Sequence, residues 1–284
     1  MYFMDRNVWA EYILSRRFHR PLFHRIRPQL YTKKRTLQPP QRSLSSSTLA
    51  VSGYQDSKRT PWRRFNSNPA DVIEKHMLDW GHRTWGLVIY RCTYSSDADW
   101  EEFMSRLLYR LRSRLEHYYD GLDMLDSFQL TVMDDKARFD GANPDAIRGH
   151  FDEWAPAACE AEQGILPTDA RYMCIARYGL CIMVDEEALR SVLAIPHEDL
   201  DTRSSTGFVI LVHGRHHEMR AGIKECDEEL EDDDFEPLNG CTREDVGWMR
   251  VCYDQAQLYA CAHMNQSYEW QMEYRRPPEI GLYC

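Results

Sequence analysis

Residues 100–118 read WEEFMSRLLYRLRSRLEHY, and the spacing of the apolar residues in this stretch decides the fold. Trp100, Phe103, Met104, Leu107, Leu108, Leu111, Leu115 and Tyr118 recur every three or four positions, which on a helix makes one continuous apolar stripe. Ser96 or Asp97 offers an N-cap and Gly121 a stop. Arg106, Arg110, Arg112 and Arg114 fall on the other faces. A stripe of this length has to lie on a second apolar layer, and the flanking sequence supplies strands.

Residues 84–94, from Thr84 to Tyr94, are β-branched and aromatic and predict a strand. Phe128, Leu130 and Val132 alternate with Gln129, Thr131 and Met133, the pattern of a half-buried strand. The segment from Tyr172 to Val184 predicts one buried strand, or two meeting near Gly179. The run from Gly207 to His213 is apolar throughout and predicts a central strand. Asn68-Pro69 and Asn143-Pro144 read as an N-cap followed by the first helical residue, and Asp185 starts a short helix through Leu193. Toward the end, Asp254 to Met264 predicts a helix and Trp270 to Tyr274 a last strand. Helices are few and connections short, so the expected class is α+β: a mixed sheet with helices packed on one face, in a ferredoxin-like arrangement.

Charge divides the chain. Residues 1–70 carry 14 Lys/Arg against 3 Asp/Glu and the rest 21 against 42, so a +11 leader precedes a −21 body and the whole chain is −10. Residues 1–67 are rich in Arg and Ser, the composition of a mitochondrial transit segment. It equally fits a disordered basic tail or a misplaced gene start, and Arg16, Arg17, Arg20, Arg25 and Arg27 would serve electrostatic binding to an anionic partner. Residues 68–284 are expected to form a single α+β domain. Glu225 to Glu236 is nearly all acid, and like charges that dense are expected to form a solvated loop. Nine cysteines without a Cys-x-x-Cys pair, several inside apolar runs, read as buried reduced thiols. With no apolar run of spanning length and no secretory signal, the expected setting is intracellular, mitochondrial or cytoplasmic/nuclear, and not secreted.

Several motifs carry a resemblance. They are residues 84–94 with the helix from Trp100, then Asp140-Gly141-Ala142 with Arg148, Phe151 and Trp154. Val184-Asp185-Glu186-Glu187 and the run Tyr274-Arg275-Arg276-Pro277-Pro278-Glu279-Ile280 complete them. On these, residues 80–284 resemble a family of uncharacterised proteins of filamentous fungi. The resemblance implies one folded unit in a fungal cell and brings no activity, cofactor or catalytic residue.

Candidate chemistry is sparse. His213 and His217 are four apart in His213-Gly214-Arg215-His216-His217-Glu218, but Gly214 opposes a helix, the pattern is not His-Glu-x-x-His, and an exposed polar loop is the expectation. Asp134-Asp135, Asp140 and Asp185-Glu186-Glu187 follow strands, where caps and turns account for them more simply than a site does. Tyr90, Arg91 and Tyr94, with Arg171, Tyr172, Arg177 and Tyr178, suggest an aromatic and basic sheet face, yet the body's negative charge disfavours nucleic acid. No metal and no cofactor is expected. The candidate binding residues are Arg91, Tyr94, Asp135 and Arg177. The reading is a non-catalytic interaction or regulatory protein with a protein partner. The alternative is a small-molecule enzyme whose pocket over the sheet face uses Arg91 and a carboxylate such as Asp135.

Overall fold

A computed structural model describes residues 68–202, 206–216, 235–264 and 267–281, all within one compact unit. The leader 1–67 and most of the acidic stretch 225–236 lie outside the described residues.

Helix α1 spans Pro69–Trp80, with the Asn68 side chain accepting from the Asp71 N–H and Gly81 closing it in the left-handed region. Strand β1, Val88–Arg91, leads to α2, Asp97–His117, capped by Ser96. Strand β2, Val132–Met133, is followed by the short α3, Lys136–Phe139, and by α4, Pro144–Gln163, capped by Asn143. Strand β3, Leu180–Val184, runs into α5, Glu186–Leu193, capped by Asp185. Strands β4, Phe208–His213, and β5, Trp248–Cys252, precede α6, Leu258–His263, α7, Ser267–Glu273, and β6, Ile280–Gly281. At each capped start an Asn, Asp or Ser oxygen meets an N–H that the helix itself leaves unpaired.

The sheet order is β2-β1-β3-β4-β5-β6. Strands β2, β1 and β3 are parallel, β4 is antiparallel to both neighbours, and β6 is parallel to β5. The α+β class with a mixed sheet therefore holds. The parallel trio is not the arrangement of a ferredoxin-like sheet, and the helices are not confined to one face. Tyr90 donates or accepts a hydrogen bond with His150 of α4, while the next residue, Arg91, pairs with Asp97 of α2. Successive strand residues point to opposite faces, so α2 and α4 cover the two sides. Every residue of β1, β3 and β4 is buried as a result.

The stripe on α2 faces inward from Trp100 to Leu115, and only Tyr118, just past the helix end, is exposed at 63%. Other segments differ from their sequence patterns. The strand expected over 84–94 is regular only at Val88–Arg91, because Gly86 at φ 108 bends the chain where the Phe128 ring leaves no room for a Cβ. Residues 170–178 form two 3-10 turns before β3. The C-terminal helix is shorter than expected, and the segment around Trp270 is helical, burying Trp270 against His213. Strand β5 lies where the sequence pattern predicts none, although Met249 and Val251 alternate inward with half-buried Trp248 and Arg250.

Leu107 is 2% exposed, so Leu107→Ala is expected to cost about 3 kcal/mol in denaturant unfolding. Tyr118→Ala should change stability by less than about 0.5 kcal/mol.

Candidate functional site

The three parallel strands end side by side. Arg91 closes β1, Met133 closes β2 and Val184 closes β3, so Thr93-Tyr94-Ser95, Asp134-Asp135 and Asp185-Glu186 are gathered at one rim. Such rims are where open α/β sheets hold ligands. Here the polar groups are spent on each other. Arg91 donates from Nη2 to Asp97 at 2.5 Å, from Nη1 to Asp134 at 3.4 Å and from Nε to the Thr93 carbonyl at 3.0 Å. Its guanidinium lies 4.3 Å from the centre of the Tyr94 ring and 5.2 Å from that of Trp100. Thr93 and Ser95 donate to the Glu186 carboxylate and, with Arg190, hold its pKa down to about 2. Burial and the neighbouring Asp134 push the Tyr94 phenol up, so it keeps its proton.

Of the four candidate residues, the structure thus brings Arg91 and Tyr94 together. Asp135 sits on the same rim, but it caps α3 by accepting from the Arg138 N–H, and the carboxylates on Arg91 are Asp97 and Asp134. Arg177 is at the opposite end of the strands and 1% exposed. Its Nη1 donates to the Gly86 and Gln129 carbonyls at 2.6 and 3.0 Å, and its Nη2 to Thr131 Oγ1 at 2.8 Å. Nε and Nη2 then grip Glu162 of α4 at 2.6 and 2.9 Å. Arg177 is a latch between β1, the approach to β2, and α4. Because Tyr90, Arg91, Arg177 and Tyr178 are all buried, the aromatic and basic face suggested by the sequence is closed.

The arginines off the apolar stripe of α2 are largely interior as well. Arg106, Arg110 and Arg114 are buried. Arg106 Nη1 donates to the carbonyls of Val192 and Ile195 at 3.0 and 2.7 Å, closing the C-terminus of α5. Arg110 and Arg114 both donate to Asp254 Oδ2. These partners are 86 to 144 residues away, so no local pattern announces them.

The histidine cluster is also interior. His213 and His216 are buried, His216 Nε2 lies 3.4 Å from Asp245 Oδ1, and Trp270 Nε1 donates to Asp245 Oδ2 at 3.0 Å. His217 and Glu218 lie outside the described residues. Gly247, at φ 74, has Arg148 and His216 packed where a Cβ would stand, which leaves no room for a ligand. Among the described residues no group of three His, Cys, Asp or Glu is placed to hold a metal ion. Burial raises the thiols of Cys92 and Cys261 to about 12 and that of Cys159 to about 11, which suppresses the nucleophilic thiolate. Six described cysteines are free, whereas Cys252 is disulfide-bonded, unlike the all-reduced expectation. No helix among the described residues is long and apolar enough to cross a membrane.

What remains open is the outer side of β2. Ser127 and Thr131 accept from Trp85 and Ile89, and Gln129 donates to Trp85. The alternation of a strand turns the backbone groups of Leu130 and Val132 the other way, to the sheet edge. Among the described residues nothing pairs with them. Beside Ser127 opens a cavity of about 250 Å³ lined by Glu74, Met77, Leu78, His82, Asp123, Met124 and Ser127. His82 Nε2 is enclosed without a hydrogen bond, and burial lowers its pKa to about 4.

Comparison with protein-family models, curated proteins and solved structures finds no match for the chain.

Arg177→Ala takes the charged donor from Glu162 and the donors from two buried carbonyls, and is expected to cost about 3–5 kcal/mol in urea unfolding; Arg177→Lys, lacking the planar fork, should recover little of it. Burial holds His76 and His82 at about 4 and His213 at about 3 against 6.5 when unfolded. Below 6.5 the unfolded chain therefore binds more protons, so stability present above about pH 6.5 is lost as pH falls toward about 4. Thermal melts across this window should show that slope, and His213→Gln should reduce it, with His76 and His82 keeping the rest.

Proposed function

We propose that this chain is a non-catalytic interaction protein that works inside the cell and binds a protein partner through the open side of β2. The observation that carries the reading is that, among the described residues, nothing pairs with the backbone of Leu130 and Val132 at the sheet edge, beside a cavity. An edge of this kind is a template for a further strand. The groups that could have done chemistry point the same way. Arg91 is ion-paired, stacked and enclosed, the carboxylates around it serve as partners or caps, and the buried thiols are held protonated. An enzyme using Arg91 with Asp135 would need both groups facing a substrate, whereas Arg91 is enclosed and ion-paired and Asp135 caps α3. The resemblance of residues 80–284 to filamentous-fungal proteins is compatible with this reading and adds no activity to it.

The test is site-specific photocrosslinking of the full chain in extract. A photoreactive residue at Leu130 is expected to give one discrete protein adduct, and the same group at exposed Glu198 none. Adducts that are absent, or no different between the two positions, would count against partner binding at this edge.

A further inference from the structure

Cys252 is fully buried and disulfide-bonded. We propose that its partner is Cys284 and that the bond is a redox clasp: closed, it holds β6 on β5; reduced by a low-molecular-weight thiol, it frees the segment after Pro277 and uncovers the outer edge of β5. This edge is at the far side of the sheet from β2, so the clasp goes beyond the protein-binding reading and does not rest on it.

The partner follows from the other cysteines. Of the nine in the chain, Cys92, Cys159, Cys174, Cys181, Cys241 and Cys261 are free, which leaves Cys226 and Cys284. Register favours Cys284. Gly281 pairs with Val251, so Cys252 faces the position just past Gly281, and Cys284 is two residues further on. Neighbouring strands are about 5 Å apart and two residues reach at most about 7 Å, so a short bend brings the pair within the usual Cα separation of about 4–7 Å. Cys226 follows His216, which packs on Gly247 just ahead of β5. Trp248–Cys252 is five residues, roughly 16 Å of strand, so Cys252 is at the other end. Joining Cys226 to it would draw the acidic run Asp227-Glu228-Glu229 along that length, past Glu187, which already holds Arg250.

The segment that the bond holds is lightly attached along its strand. Tyr274 Oη donates to the Glu244 carbonyl at 2.8 Å and accepts from the Val246 N–H at 3.1 Å, and Arg276 Nη2 donates to the Glu236 carbonyl at 2.7 Å, so the chain is fastened up to Arg276. Past it, β6 is a strand of two residues, with Ile280 half-buried and Gly281 offering no side chain. A strand that short contributes little pairing of its own. The edge beneath it is regular. The Tyr253 N–H bonds to Gly207 and the His213 N–H to Gly247, so by alternation Met249 and Val251 face β4 while Arg250 and Cys252 turn their N–H and C=O toward β6. Releasing β6 bares these groups as a template for another strand.

Opening the clasp is a two-electron exchange. Cys252 is 0% exposed, so attack enters at the Cys284 sulfur. The reductant's thiolate bonds to that sulfur, and the S–S bond breaks with its electron pair on the Cys252 sulfur, which takes up a proton. A second reductant thiolate resolves the mixed disulfide, leaving two protein thiols and one oxidised reductant. A glutathione-type thiol pool opens the clasp, and an oxidising compartment closes it.

The test uses the full chain equilibrated with oxidised glutathione. Peptide mapping by mass spectrometry, after the remaining thiols are alkylated, is expected to find Cys252 linked to Cys284. Hydrogen exchange is then followed with and without dithiothreitol. Reduction should speed exchange of the Arg250 and Cys252 amides at least roughly tenfold, while Ile182 and Leu211 in the sheet centre keep their protection. Cys284→Ser should show the fast exchange without reductant and no response to it, and Cys226→Ser should behave as the unaltered chain. Cys252 found unlinked, or linked to Cys226, overturns the proposal. So does reduction that leaves Arg250 and Cys252 unchanged. Reduction that strips protection from Ile182 and Leu211 as well overturns it too, because the bond would then support the whole fold rather than one strand.

Discussion

Among the described residues six arginines, Arg91, Arg106, Arg110, Arg114, Arg148 and Arg177, are enclosed, and enclosing a guanidinium is costly unless acceptors meet most of its N–H groups. That requirement organises the fold. Arg177 closes the N-terminal end of β1 and the approach to β2 onto α4. Arg91 closes the C-terminal end of β1 onto α2. Arg148 reaches from α4 to the carbonyls of His213 and Gly247, where β4 ends and β5 begins. Arg106 joins α2 to the end of α5, and Arg110 and Arg114 join it to Asp254 after β5. Apolar contact along the α2 stripe supplies most of the burial, but it is non-directional. The guanidinium contacts have geometry, so they also constrain how each helix sits on the sheet.

The same economy explains why the rim of the parallel strands is chemically quiet. Strand C-termini there collect Arg91, Tyr94, Asp134, Asp135 and Glu186, residue types that elsewhere make catalytic sites. In this protein Arg91, Asp134, Asp135 and Glu186 are each already a cap, an ion-pair partner or a hydrogen-bond acceptor of a neighbour, and the Tyr94 ring is covered by the Arg91 guanidinium. Polarity that is satisfied internally stabilises a loop and leaves little to offer a substrate. Backbone at Leu130 and Val132, by contrast, meets no partner among the described residues, and backbone at a sheet edge recognises another strand.

Elements with a strong local signature were legible residue by residue. Asn68-Pro69, Ser96, Asn143-Pro144 and Asp185 announce helix starts because a cap bonds to an amide only two or three residues on. Phe208 to His213 announces a central strand because both of its faces must be apolar. Segments whose state depends on a distant partner were not. Trp270 looks like a strand residue by propensity and is helical because it packs on His213. Arg106, Arg110 and Arg114 look like surface by residue type and are interior because carbonyls at the end of α5 and the carboxylate of Asp254, after β5, meet them.

Of the candidate site, the order of residues along the chain sufficed to put Arg91 and Tyr94 within reach of each other, since three residues at a strand end span a short distance. It also sufficed for the α+β class, for the long amphipathic helix and for the division of charge between the leader and the rest. Strand order, the covering of both sheet faces, the separation of Arg177 from Arg91 and the open edge at Leu130 were decided only by tertiary packing. Hydropathy and propensity act over a few residues, whereas strand neighbours and buried ion pairs join positions whose separation along the chain carries no trace of their meeting.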